Sequence, residues 1–232
     1  MLSIVGLPSA SAQLVLEFGD PLSLSPISDI QLHPNQTRTI GVLLDNEGSA
    51  TRLSGFTLEL GIGGGGPPLG GIPGPEFTAV DLVTSTLFAG DHGAPVVNGG
   101  PNPFPGIGSL PQYLGLSLTT ASAPISPEAL GAVNLAPGRS LLGTLTVSAA
   151  GFTSSDSWTL QFVGAGSSTF LNDASNNSIA PLFQDSNISI VPEPQEYAAA
   201  IGFVLTGFAL WRRRSAKQVE SSCHPGVGRG TL

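Results

Sequence analysis

Ser54-Gly55-Phe56-Thr57-Leu58-Glu59-Leu60 alternates without a break: Phe56, Leu58 and Leu60 fall on one side, Thr57 and Glu59 on the other. An extended chain sends successive side chains to opposite faces, so this stretch predicts a strand with one buried and one wet face. The pattern recurs in both directions. Upstream, residues 13–18 have strand composition and Gly19-Asp20-Pro21 stops them. Residues 37–44 put Ile40, Val42 and Leu44 on one face and close on Asp45-Asn46-Glu47-Gly48. Downstream, residues 77–83, 113–119, 141–147, 158–163 and 187–191 supply further short strands between turn residues. Nowhere before residue 194 does a helical period persist for three turns. Many short alternating strands with Gly, Pro, Asn and Asp turns predict an all-β domain, a β-sandwich or jelly roll.

Composition sets the compartment and the partners. Between residues 13 and 190, thirteen acidic residues face three arginines (Arg38, Arg52, Arg139) and no lysine, which leaves this part ten charges negative. Such a surface repels nucleic acid and anionic polymers. The single Cys223 lies near the C-terminus, so the β-rich part forms no disulfide and its stability rests on core burial. Residues 1–12 read as the end of a secretory signal, with Ala10-Ser11-Ala12 fitting a small-x-small cleavage site and Gln13 as the mature start. A basic n-region is missing from them, so the true start is expected upstream; the alternative is a short first strand.

The C-terminal fifth changes character. Val191-Pro192-Glu193-Pro194-Gln195-Glu196 leads into an uncharged run, residues 197–211, and then Arg212-Arg213-Arg214. Pro194 suits the first turn of a helix and Glu196 its positive end. Fifteen residues rise roughly 22 Å against a hydrocarbon core of about 30 Å, a gap that Tyr197 and Trp211 in the headgroup belt and snorkelling arginines offset. The prediction is a single C-terminal transmembrane helix with the arginines on the cytoplasmic side and residues before 191 outside.

Val-Pro-Glu-Pro, a short apolar helix and a closing arginine cluster, in that order, resemble the PEP-CTERM sorting signal of bacterial exported proteins. The resemblance implies exosortase, a membrane-embedded cysteine transpeptidase, as the partner that cleaves near this motif. It makes Pro192, Glu193 and Pro194 the sorting motif and Arg212, Arg213 and Arg214 the membrane stop. It also implies an anchor that is transient, with the cargo ending in the cell envelope or extracellular matrix. Residues 215–232 depart from the family, whose signals end within a few residues of the arginines. An ordinary permanent anchor with a Pro-rich linker is the alternative.

The predicted organisation is therefore a signal remnant (1–12), an exported sandwich (13–191), the sorting signal (192–214) and a disordered tail (215–232). Leu141-Leu142-Gly143-Thr144-Leu145-Thr146-Val147, Trp158-Thr159-Leu160-Gln161-Phe162 and the closing Leu171-Asn172-Asp173 with Ile188-Ser189-Ile190-Val191 resemble the last strands of cohesin-like sandwiches. That likeness implies a nine-stranded jelly roll without catalysis, which binds a protein partner or an extracellular polysaccharide.

The residues themselves offer little chemistry. Gly61, Gly63 and Gly66 spell G-x-G-x-x-G after a strand, but Pro67-Pro68 and Gly70-Gly71 preclude the helix that would hold a phosphate. Asp91-His92 is half of an acid–base pair at best, because His33 is the only other histidine before the tail and no nucleophile elbow occurs. Asp173, Asn176 and Asp185 gather hard oxygen ligands and are the candidate calcium site; such residues also cap their own turns without an ion. The expected function is a structural, adhesive or binding protein of the cell surface rather than an enzyme. The alternative is a secreted lectin or carbohydrate-active enzyme that uses scattered carboxylates such as Glu17, Glu47, Glu59, Glu76 and Glu128.

Overall fold

The computed structural model describes residues 13–63, 74–99, 112–121, 131–150, 157–164, 168–191, 198 and 201–212. The chain divides into two compact units, Met1–Val191 and Pro192–Leu232. The first is a sandwich of two sheets. Its smaller sheet runs in the order β13 (Leu182–Phe183), β1 (Leu14–Gly19), β3 (Thr37–Asn46), β9 (Gly138–Ser148), β5 (Glu76–Asp81). The larger sheet runs β12 (Ser178–Ile179), β11 (Phe170–Asp173), β4 (Thr51–Ile62), β10 (Ser157–Val163), β14 (Ser186–Ile190), β2 (Asp29–Leu32). Onto β4 it adds β7 (Tyr113–Thr119) and β8 (Val133–Leu135), with β6 (Val96–Gly99) beyond β7. Most pairs are antiparallel, but β13 lies parallel to β1 and β14 parallel to β2.

The alternating stretch around Phe56 is the hub. β4 is twelve residues long, about 40 Å of extended chain. One edge pairs with β7 from Gly55 to Gly61 and with β8 from Thr51 to Leu53; the other pairs with β11 at Leu53–Thr57 and with β10 at Glu59–Ile62. Phe56, Leu58 and Leu60 are buried as the period of two requires, while Thr57 and Glu59 stay half-exposed on the other face. Gly55 is a glycine because β7 crosses so closely that a Cβ there would lie 2.6 Å from the Leu118 carbonyl oxygen.

The core lies between the sheets. Leu14, Leu16 and Phe18 of β1, Ile40, Val42 and Leu44 of β3, and Leu142, Leu145 and Val147 of β9 face Phe56, Leu58 and Leu60 of β4, Leu114, Leu116 and Leu118 of β7, and Leu160 and Phe162 of β10. Each such side chain removed from water contributes about 1.5–3 kcal/mol. Aromatic contacts tie the layers together: Phe18 stacks on Phe162 at 4.5 Å between centroids, Phe162 stacks on Phe183 at 5.5 Å, and Phe56 meets Phe88 edge-on at 5.5 Å. Phe88 and Leu82 belong to the turn-rich segment after β5, which enters the core because Leu87 N–H is held by the Leu141 carbonyl at 2.7 Å.

The predicted strands are present, residues 113–119 to the residue and the others within about three residues at either end. The count is a correction. Instead of nine strands there are fourteen among the described residues, because the later part of the chain is cut into short pieces that share one edge of a longer partner. β10 and β11 illustrate this, lying one after the other along β4.

Candidate functional site

Two surfaces and one exit point hold some of the polar groups that the sequence singles out; the others lie in local turns. The first surface is a cleft of about 240 Å³ lined by Glu17, Phe18, Pro26, Ile27, Ser28, Gln184, Asp185 and Ser186. Glu17 points away from the core between Leu16 and Phe18, yet is 3 % exposed. Arg139 accounts for this, since its Nε donates to Glu17 Oε1 while its Nη2 reaches Asp45 at 3.0 Å. The Glu17 carboxylate, followed by the carboxylates of Asp45 and Glu47, in turn raises the Arg139 guanidinium above its ordinary range. Asp185 accepts the Phe162 N–H at 3.1 Å, and the Ser186 hydroxyl donates to the Ile27 carbonyl. Each of these groups is thus bound into the frame of the sandwich.

The second surface is the outer face of the larger sheet. Thr57 and Glu59 of β4 lie beside Ser117 and Tyr113 of β7, and the Thr57 and Ser117 hydroxyls are 3.3 Å apart. Glu59 Oε2 accepts the Ser168 hydroxyl at 2.7 Å, and the Glu59 carboxylate also accepts the Tyr113 phenol. Burial, with the bond to Glu59 and its charge behind it, pushes Tyr113 up to about 12. This face is polar and, on these strands, carries a single carboxylate.

The calcium candidates are not brought together. Asp173 heads a turn in which its Oδ1 accepts the N–H of Ser175 and of Asn177, both at 2.8 Å, and its Oδ2 accepts the Asn177 amide at 3.0 Å. Asn176 occupies the left-handed position of the same turn, φ 62°. Asp185 is elsewhere. Asp173 pairs with Leu53 of β4, whereas Asp185 holds Phe162, which pairs with Leu60. Seven residues along one strand are about 23 Å. Among the described residues, no group of three or more His, Cys, Asp or Glu side chains could hold a metal ion. The Asx turn alone explains why Asp and Asn stand at 173–177.

Asp91 and His92 likewise serve local structure. Asp91 accepts the Ala121 N–H at 3.0 Å, and the His92 ring meets the Gly93 carbonyl at 2.9 Å. Gly63 sits at φ 100° after β4, and most of the glycine run that follows lies outside the described residues.

The exit point is where the chain leaves the larger sheet after β14. Val191, the last residue of the predicted strand 187–191, stays tied to the sheet although β14 itself ends at Ile190. Its N–H donates to the Leu32 carbonyl at 2.8 Å, and its carbonyl lies 3.1 Å from His33 Nδ1. Pro192, Glu193 and Pro194 lie outside the described residues, as do Arg213 and Arg214. From within the run at 197–211 as far as Arg212, residues 201–212 are helical, and Ile201, Phe203, Val204, Leu205, Phe208, Leu210 and Trp211 are all exposed. Among the described residues no helix is long and apolar enough to cross a membrane; twelve residues rise about 18 Å.

The sandwich has the fold of the cohesin domains. It is similar to the cohesin of OlpC, solved with dockerin Doc435 from Clostridium thermocellum, at 13 % identity over 81 % of this chain and 99 % of that one, with a TM-score of 0.50. It is similar to the third cohesin of ScaC from Acetivibrio cellulolyticus, solved with the ScaB dockerin, at 8 % identity over 77 % and 99 % of the two chains, again with a TM-score of 0.50. No family model matches the chain, and no curated protein matches it in sequence.

Proposed function

We propose that this chain is an exported surface or matrix protein whose sandwich docks a protein partner without catalysis and whose C-terminal unit is a PEP-CTERM signal processed by exosortase. The observation that carries the sorting reading is one of order. The domain's last strand ends at Ile190, Val191 is still tied to the sheet, and Pro192-Glu193-Pro194 begins at the next residue. An exposed apolar helical stretch and three arginines complete the signal. In this reading residues 197–211 hold the precursor in the membrane and Arg212, Arg213 and Arg214 stop it there.

For the sandwich, a protein partner is supported by its fold, since the two cohesins named above were solved with dockerins bound. The polar outer face around Glu59 and Tyr113 is a surface on which a docking protein makes hydrogen bonds without burying unpaired charge. Intact-mass spectrometry of the protein from its native host, with and without the exosortase, tests the proposal. A mature form that lacks residues 197–232 in the parent strain alone is the expected result. A chain that keeps its arginines and Cys223 in both strains leaves only a permanent anchor.

A further inference from the structure

The parallel ladder between β2 and β14 has a regular step: Asn187 N–H donates to the Ser28 carbonyl at 2.9 Å, and four residues on Val191 N–H donates to the Leu32 carbonyl at 2.8 Å. In a parallel pair the carbonyl of the same residue then accepts the N–H two positions further along the partner. For Val191 that position is Pro34, which has no N–H. The next rung is therefore missing its donor. His33 supplies it from its side chain, with Nδ1 3.1 Å from the Val191 oxygen. A carbonyl only accepts, so Nδ1 carries the proton.

The latch is itself anchored. His33 N–H donates to the Gln36 side-chain oxygen at 2.8 Å, and Gln36 N–H returns to the His33 carbonyl at 3.0 Å. Asn35, at φ 60°, donates its N–H to the Ala149 carbonyl at 3.1 Å, and Ala149 N–H donates to the Gln36 carbonyl at 2.9 Å. The turn 33–36 is thus tied to the end of β9, and the imidazole is presented from a fixed backbone.

We infer that His33 is the latch that sets where the folded sandwich ends, and so a positioning residue for any peptidase that cuts the segment after it. A peptidase takes its substrate as an extended strand paired through backbone groups. With both backbone groups of Val191 engaged, that pairing starts beyond residue 191. Its consequence in the host rests on the sorting reading above, but the latch itself does not.

The test is limited digestion of the full chain with proteinase K, with intact mass reading the end of the surviving core and hydrogen exchange reading the amides of Ile190 and Val191. In the wild type the core ends at or beyond Val191. In His33→Ala the end recedes into 186–190 and the two amides exchange about tenfold faster, the loss of one net hydrogen bond, while Leu58 is unchanged. His33→Gln, which keeps a donor, recovers much of the protection. A His33→Ala core with the wild-type end and exchange overturns the inference, as does a wild-type core that already stops short of Val191. In the host, ragged C-termini in His33→Ala extend the inference to processing. Unprocessed protein in every strain refutes the sorting reading and leaves the latch to the digestion result.

Discussion

The hydroxyl of Thr169 accepts the Glu59 N–H at 2.9 Å and donates to the Val163 carbonyl at 2.6 Å, so one side chain bridges the gap between β10 and β11 on the edge of β4. Thr169 is completely buried. Two strands that share one edge in succession leave backbone groups at the junction without a ladder partner, and a buried orphan of this kind costs about 1–3 kcal/mol. Thr169→Val keeps the shape and removes both bonds. The expected outcome is a loss of about 3 kcal/mol in urea unfolding, with Thr169→Ser retaining most of the stability. Equal midpoints for Val and Ser would show that the hydroxyl is not needed there.

Arg139 is the counter-ion of a carboxylate that has almost no water. Removing one partner of a buried pair costs roughly 3–5 kcal/mol, but the Arg139 side chain keeps 37 % of its surface exposed, and solvent screening brings the expectation for Arg139→Ala to about 2 kcal/mol. Arg139→Lys recovers only part, because a single ammonium does not span Glu17 and Asp45 as the planar guanidinium does. A Glu17→Leu, Arg139→Leu double variant is expected close to wild type. Chemical denaturation of the wild type, Glu17→Leu, Arg139→Leu and the double variant as a cycle checks this, and a double variant as unstable as Arg139→Leu would refute it.

How much of this was legible depends on which partner each residue needed. Phe56, Leu58 and Leu60 announce a strand because the period of two is local. Asp29–Leu32 alternates just as strictly, with Ile30 and Leu32 buried, but four residues after a Pro- and Ser-rich stretch are too few to stand out. Val96–Gly99 is equally short. Asp173, Asn176 and Asp185 look like one ligand set because sequence proximity hides the roughly 23 Å of β4 between Leu53, which pairs with Asp173, and Leu60, which pairs with the Phe162 that Asp185 holds. The His33 latch had a signal in the pair His33-Pro34, since a proline in a strand edge removes a donor that something must replace. It needed the β2–β14 register before Val191 emerged as the acceptor.

Tyr113 predicts a titration. Its phenol is raised to about 12 by burial and by the Glu59 carboxylate, against about 10 in the unfolded chain. A raised pKa contributes stability that is fully present below pH 10 and is lost as pH rises toward 12. The sequence has two tyrosines, so Tyr197→Phe leaves Tyr113 as the sole phenol in the full chain. Its absorbance change on ionisation is expected near pH 12, and Glu59→Gln should bring it down while burial still holds it above the ordinary value. A midpoint at 10 in the folded protein would contradict the hydrogen bond to Glu59.

Three turn aspartates are held below the usual carboxylate range by the turns they cap. Asp20 is lowered first by the Ser23 backbone N–H, Asp81 first by the Thr84 side chain and Asp173 first by the Asn177 side chain. Asp20 and Asp81 use one carboxylate oxygen to hold two successive N–H groups, those of Leu22 and Ser23 and those of Val83 and Thr84, and Asp173 holds Ser175 and Asn177. Each folded pKa lies below the unfolded one, so the stability these bonds add is complete above about pH 4 and disappears as pH falls through the lower folded values. Asn at these positions keeps an acceptor for the turn but does not titrate. Urea midpoints followed from pH 6 to pH 2 should therefore fall less steeply below pH 4 in an Asp20→Asn, Asp81→Asn, Asp173→Asn variant than in the wild type. Parallel curves would mean that the acid limit is set by the other carboxylates, and that the charged form of these three adds nothing to the turns they cap.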